Sequence, residues 1–237
     1  MINLAGEPIA AKRWTERQKK RIRDSRIAAT KSLVEAISVA RGKPSFLVNA
    51  SAVGYYGARG DEAVTEETPP GNDFLSAVCR DWENEAIQAE RFGVRVIRLR
   101  TGIVLGRGGG ALAKMALPFK LFVGGPLGSG NQWMPWIHLD DEVGFIVFLI
   151  QNADAKGAFN VTAPHPERMK DFCRTLGQVM RRPAWLGAPA FAVRLALGEM
   201  SGMLLTGQRA LPAAAERLGF ELKYPTLLEA LRASMPI

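Results

Sequence analysis

Short, mostly apolar runs alternate along the chain with longer stretches whose apolar residues recur every three or four positions. Residues 2–5 (INLA), 46–50 (FLVNA) and 94–99 (VRVIRL) are of the first kind and read as buried parallel strands. Thr15 opens the first helical stretch, with Gln18 three residues on to complete a capping box, and Ile22, Ala29, Leu33 and Ile37 share one face. Asp73 caps a second helix, whose stripe is Leu75, Val78, Cys79, Trp82 and Ala86. Strand, helix, strand, helix, strand predicts an α/β fold, a Rossmann-like doubly wound parallel sheet.

Glycines and prolines between residues 54 and 71 predict a long loop after the second strand, leaving the carboxyl end of the sheet, where ligands bind in open parallel sheets. Further on the chain turns glycine-rich at 106–110 and 124–130, then predicts a strand at 136–139, a helix from about 141 to 152 and a strand at 158–161. Helical patterns fill the tail at 168–181, 189–199, 212–218 and 227–233, the last with Thr226 and Glu229 as a second capping box. The expected organisation is a domain over 1–165 and a small, mostly helical one over 166–237.

Composition narrows the partners. The richest apolar stretch, Val143 to Ile150, is far short of the roughly 20 residues that span a bilayer, and the N-terminus lacks the basic-then-apolar order of a secretory signal. A cytoplasmic protein with no membrane partner is expected, with Cys79 and Cys173 reduced and buried. Of the net charge of +8, most lies in residues 12–31, where nine basic residues face two acidic ones. That segment has no interleaved aromatic beyond Trp14, so it reads as a solvated basic face and no nucleic-acid partner is expected. With His138 and His165 the only histidines and no cysteine at ligand spacing, no metal is expected. The runs Gly108-Gly109-Gly110 and Gly124-Gly125 have neither the spacing nor the preceding strand of a dinucleotide cradle.

At the end of the second strand, Ser51-Ala52-Val53-Gly54-Tyr55-Tyr56-Gly57 delivers a hydroxyl and two phenols to the mouth of the sheet. Serine can hydrogen-bond a substrate oxygen, and a tyrosine of lowered pKa can exchange a proton. The competing reading is that Ser51 satisfies turn backbone groups and the tyrosines pack.

Asn3-Leu4-Ala5-Gly6, Ser51 to Gly57, Arg98 to Gly106 (RLRTGIVLG), Gly124 to Gly130 (GGPLGSG), Trp136 to Asp141 (WIHLDD), Gly157 to Thr162 (GAFNVT) and Gly207 to Pro212 (GQRALP) follow in that order. Together they resemble the short-chain dehydrogenase/reductase superfamily, in its atypical epimerase-like branch with a small C-terminal domain of unknown function. The resemblance implies an NAD(P)-dependent oxidoreductase or epimerase acting on a small molecule, with a homodimer possible. Leu4 and Ala5 match positions along the dinucleotide, and Arg26 matches an arginine that reaches cofactor phosphate. Arg100, Thr101, Gly102 and Val104 match a loop passing the nicotinamide. Ser51 matches the catalytic serine and Tyr56 a tyrosine bordering substrate, the two catalytic candidates, while Trp136, His138 and Asp140 match a substrate-side motif.

NADP(H) is expected over NAD(H) because of the basic helix, with Arg26 along the groove and Lys19, Lys20 and Arg23 solvated. Residues from about 185 onward are expected to cover the cleft. Two departures stand out. Where the superfamily places Tyr-x-x-x-Lys, this chain offers Leu75 and Cys79, or Ala77 and Asp81 one turn later, which favours a non-catalytic NADP(H)-binding protein as the alternative. The matching segment also begins at the family's fourth strand, which reads as a fragment or an internal start, and weak NADPH binding is expected of residues 1–237.

Overall fold

The computed structural model describes residues 1–235. From the N-terminus, β1 (Ile2–Asn3) leads through an extended loop to α1 (Glu16–Val39), then β2 (Phe46–Ala52), a 3₁₀ turn at Val53–Tyr56, β3 (Ala63–Val64), α2 (Phe74–Ile87) and β4 (Arg95–Thr101). The middle of the chain forms β5 (Ile103–Leu105), α3 (Gly110–Lys120), β6 (Trp133–Met134), β7 (Trp136–His138), α4 (Leu139–Gln151) and β8 (Gly157–Val161). The tail adds β9 (Glu167–Arg168), α5 (Met169–Met180), α6 (Ala190–Leu197), α7 (Ser201–Leu205), β10 (Arg209–Ala210), α8 (Ala213–Arg217) and α9 (Leu227–Ser234).

Four parallel strands make the main sheet in the order β1-β2-β4-β8. Alternation along β2 and β4 sorts their side chains to two faces. Leu47 and Val96 pack with Val34, Ile37 and Ala86 of α1 and α2, whereas Val48, Ile97 and Leu99 pack with Phe145 and Leu149 of α4. Helices on both faces are the doubly wound arrangement that the sequence predicts. Arg95 holds α4 in place by donating to the carbonyls of Leu149, Ile150, Asn152 and Ala155, a cation at the helix C-terminus.

α1 begins as predicted, with Thr15 Oγ1 accepting from the Gln18 amide at 3.2 Å, but the Gln18 side chain turns to Glu7 instead of closing the box. Its buried face is Ile22, Thr30, Val34 and Ile37; Ala29 and Leu33 lie at the margin. Thr30 occupies the middle because its hydroxyl is fully hydrogen-bonded there.

The expected loop at Arg100–Val104 is instead the end of β4 running into β5. Gly102 permits the junction, since a Cβ there would lie 2.6 Å from the Pro135 carbonyl oxygen. β5 then pairs with β7. α3 follows unannounced by its sequence, which opens on glycines and carries Pro118. One core cluster draws on both sides of residue 165: Leu105, Phe119 and Trp136 pack with Phe172, Leu176 and Leu231, and β9 pairs antiparallel with β6.

Candidate active site

The carboxyl ends of β2, β4 and β8 converge on a buried polar network. Period-2 alternation brings Arg98 and Arg100 to the α2 side of the sheet, and helical spacing puts Glu83 on the buried face of α2 beside Trp82. Arg100 grips Glu83 through two hydrogen bonds, Nε to Oε1 at 2.8 Å and Nη2 to Oε2 at 2.9 Å. Arg98 Nη1 adds a third at 3.1 Å, and Ser51 Oγ donates a fourth to Oε1 at 2.7 Å. With Glu83 2% exposed and Arg100 3%, the pair is desolvated, and its bidentate geometry offsets that cost.

The network continues into the loop after β2. Arg100 Nη1 donates to the Tyr56 hydroxyl at 3.0 Å and to the Glu66 carbonyl at 3.1 Å, and its guanidinium carbon lies 3.5 Å from the Tyr55 ring centroid. Tyr56 in turn donates to Asn160 Oδ1 at 2.6 Å. Glu66 accepts from the amides of Asn160 and Ala214, Asn160 Nδ2 reaches the Leu211 carbonyl, and Gln208 Nε2 reaches that of Gly57. β10 pairs with β3 alongside, so residues 207–214 do cover the loops at the carboxyl end.

Tyr56 is fully buried, and burial pushes its hydroxyl up to about 12. Arg100 gives four of its five N–H donors to protein acceptors. Ser51 is 6% exposed and gives its proton to Glu83, which leaves it the lone pairs of Oγ. On the same helix as Glu83, burial raises the Cys79 thiol to about 12.

The Trp136-to-Asp141 motif makes contacts to the tail. Trp136 is fully buried in the core. His138 caps α4, its Nδ1 accepting from the Asp140 amide at 3.1 Å, and its ring centroid stands 4.1 Å from that of Tyr224. Asp140 pairs with Lys223 at 3.2 Å on the surface. Asp141, which sequence reasoning missed, accepts from the amides of Lys223 and Tyr224 at 2.6 and 3.1 Å. Val104 packs against the α4 core, and like Thr101 and Gly102 it remains partly exposed.

On the β1 side, Leu4 (64% exposed) and Ala5 are open to solvent. Asn3 beneath them is fixed by hydrogen bonds to Thr30 and Asn49 at 2.9 and 2.6 Å. Arg26 lies against the following loop. Its Nη1 donates to the carbonyls of Glu7 and Ile22, both at 2.9 Å, and its guanidinium sits 5.1 Å over Trp82. Gly6 makes room for it, since a Cβ there would come 2.9 Å from the guanidinium carbon. Among the described residues it forms no ion pair, and desolvation pulls it below its ordinary pKa. Lys19, expected to be solvated, instead pairs with Glu16 and Glu199 and lies over Phe74; Arg23 pairs with Asp81. A shallow hollow of about 470 Å³ beside Glu7 is lined by Arg17, Lys20 and Arg21 together with Asp24 and Ser25.

The profile of the NAD dependent epimerase/dehydratase family matches residues 1–162. The chain belongs to that family. A domain of unknown function, DUF1731, matches residues 188–234. Among relatives, the epimerase family protein SDR39U1 homolog of Arabidopsis thaliana, described as chloroplastic, is 48% identical over 99% of this chain and 68% of its own length. Epimerase family protein YfhF of Bacillus subtilis is 44% identical over 97% and 76%. A crystal structure of the human epimerase family protein SDR39U1 (isoform2) with NADPH superposes with a TM-score of 0.93 at 34% identity, over 98% of this chain and 80% of that one. UDP-glucuronic acid 4-epimerase from Bacillus cereus, at 17% identity and a TM-score of 0.79, shares the fold. The epimerase family and its small C-terminal domain are those the sequence motifs resemble. No helix among the described residues is long and apolar enough to cross a membrane.

Proposed function

We propose that the chain is an NADP(H)-dependent oxidoreductase of the epimerase type, acting on a small carbonyl or hydroxyl compound. The observation that carries this reading is Arg26, a half-buried guanidinium with no carboxylate at ion-pair distance among the described residues, held by two carbonyls beside the exposed Leu4-Ala5 edge. Burying a cation without a counter-charge is costly, and an anionic ligand removes that cost. A cofactor phosphate fits: Nε and Nη2 of Arg26 have no protein acceptor among the described residues, and a planar fork suits phosphate. Leu4, Ala5, Thr101 and Gly102 would hold the rest of the dinucleotide. When bound, the cofactor supplies hydride chemistry.

Ser51, donating to Glu83, offers a substrate hydroxyl an acceptor and orients it; Glu83 and Arg100 fix the serine. A non-catalytic NADP(H)-binding protein is the second reading, favoured by Cys79, or Asp81 one turn later, where the superfamily's lysine would lower a tyrosine's pKa. Calorimetric titration with NADPH and NADH tests the proposal through ratios. NADPH binds more tightly than NADH, and Arg26→Ala weakens NADPH by roughly ten- to a hundredfold, as expected for a charged hydrogen bond of about 1.5–3 kcal/mol. Equal binding of both cofactors together with an unaffected Arg26→Ala variant overturns it. NADPH oxidation across aldehydes and ketones then separates the two readings.

A further inference from the structure

A strip of large apolar side chains lies open between α3 and α6. Leu117 and Leu121 are 57% and 64% exposed, Phe191 and Leu195 72% and 78%, and Trp185 69%. Scattered exposed apolar residues are ordinary, but a contiguous set marks a binding surface. The loops that follow α3 and precede α6 are joined: Trp185 Nε1 donates to the Phe122 carbonyl at 3.2 Å, and residues 124–128 run alongside 186–188 through backbone hydrogen bonds. Phe122 adopts a left-handed φ of 62°, rare for an aromatic residue, and stands 53% exposed.

The loop leaving Leu4-Ala5-Gly6 touches both helices. Lys114 Nζ of α3 donates to the Ala10 carbonyl, and Arg13 Nη2 donates to the Leu195 carbonyl, each at 3.2 Å. Next to that loop, Trp14 meets Phe74 at the start of α2, ring centroids 5.2 Å apart. The loop that leaves the edge assigned to the cofactor is thus bonded to both helices. The charge around the strip is mostly basic: segments 8–15, 107–127 and 181–198 hold eight lysines and arginines, with Glu7, Glu16 and Glu199 at their ends and the last two paired with Lys19.

We propose that this strip binds the substrate, and that the substrate is an anionic amphiphile: an alkyl or ring body ending in a carboxylate or phosphate. The proposal rests on the redox reading above. An apolar body covers the α3 and α6 side chains, and the anionic end meets the basic rim. A nucleotide sugar would set its hydroxyls against leucine and phenylalanine without hydrogen-bond partners. A second copy of the chain across a twofold axis would bring like charges together.

The test is titration of the chain with dodecanoate below its micelle concentration, followed by calorimetry and Trp fluorescence, with dodecyl maltoside and UDP-glucose in parallel. Dodecanoate binds at least tenfold tighter than either. Phe191→Ser combined with Leu195→Ser weakens dodecanoate at least tenfold, the equivalent of roughly 60 Å² of lost apolar contact, and leaves NADPH binding unchanged. Arg194→Glu weakens dodecanoate at low salt, with the loss shrinking as salt is added. Preference for UDP-glucose, unchanged dodecanoate binding in the double variant, retention only by phosphatidylglycerol vesicles, or a variant effect confined to self-association each overturns the proposal. Dodecanoate binding without NADPH binding would instead remove the cofactor reading and leave the strip as a ligand site.

Discussion

Replacing Glu83 by alanine probes the network that shapes the mouth of the sheet. Among the described residues Glu83 is the one carboxylate bound by Arg100 and Arg98, and it also accepts the Ser51 hydroxyl. Arg100 is 3% exposed, so the variant leaves a guanidinium buried without a counter-charge. Breaking such a pair from one side costs about 3–5 kcal/mol. For a domain of this length that is a fall of roughly 6–20 °C in Tm. Urea titration supplies the direct figure, provided the m-value is unchanged. Adding Arg100→Met to Glu83→Ala removes the stranded charge and recovers at least about 1 kcal/mol, a coupling expected of residues in direct contact. A loss below about 1 kcal/mol for Glu83→Ala, or strict additivity with Arg100→Met, would refute the view that this pair organises the site.

Gly6→Ala is expected to push the Arg26 guanidinium off its carbonyls, because the new Cβ lies 2.9 Å from the guanidinium carbon; NADPH binding falls about as far as in Arg26→Ala, with little change in Tm. Burial and the loss of hydration hold His138 below its ordinary value of 6.5, so the unfolded chain takes up that proton first. Stability from the neutral cap is complete above about pH 6.5 and falls as pH drops below it, and His138→Asn, which keeps a capping acceptor, flattens this dependence in urea titrations at pH 5 and 8. Cys79 and Cys173, raised to about 12 and 11 by burial, react with a thiol reagent only after unfolding; a fast phase in the native protein contradicts their placement.

The two-faced sheet was legible because its strands and helices carry distinct apolar periods, and Thr15 and Asp73 mark their helices through local hydrogen bonds that any such sequence makes. α3 was not, because glycines at its start and Pro118 near its end mask an apolar spacing that only packing against β5 and α5 completes. The site was half legible. Ser51 and Arg26 are named by motif, yet their partners come from elements distant in sequence. Glu83 had a readable signal, a carboxylate within the stripe that includes Cys79, Trp82 and Ala86, and so did the alternating Arg98 and Arg100, which need an anion on one face of the strand. Asp141 had none: its acceptors face two backbone amides more than eighty residues away. The contacts of His138 and Asp140 with Tyr224 and Lys223 were hidden for the same reason, since docking the tail and binding a substrate call for the same residue types.

The account stands most directly on a ³¹P NMR titration of NADPH with the chain and with Arg26→Ala. If Arg26 meets a cofactor phosphate, at least one phosphate resonance shifts on binding to the chain, and that shift is lost in Arg26→Ala at matched saturation. Identical phosphate shifts in the two proteins would contradict it.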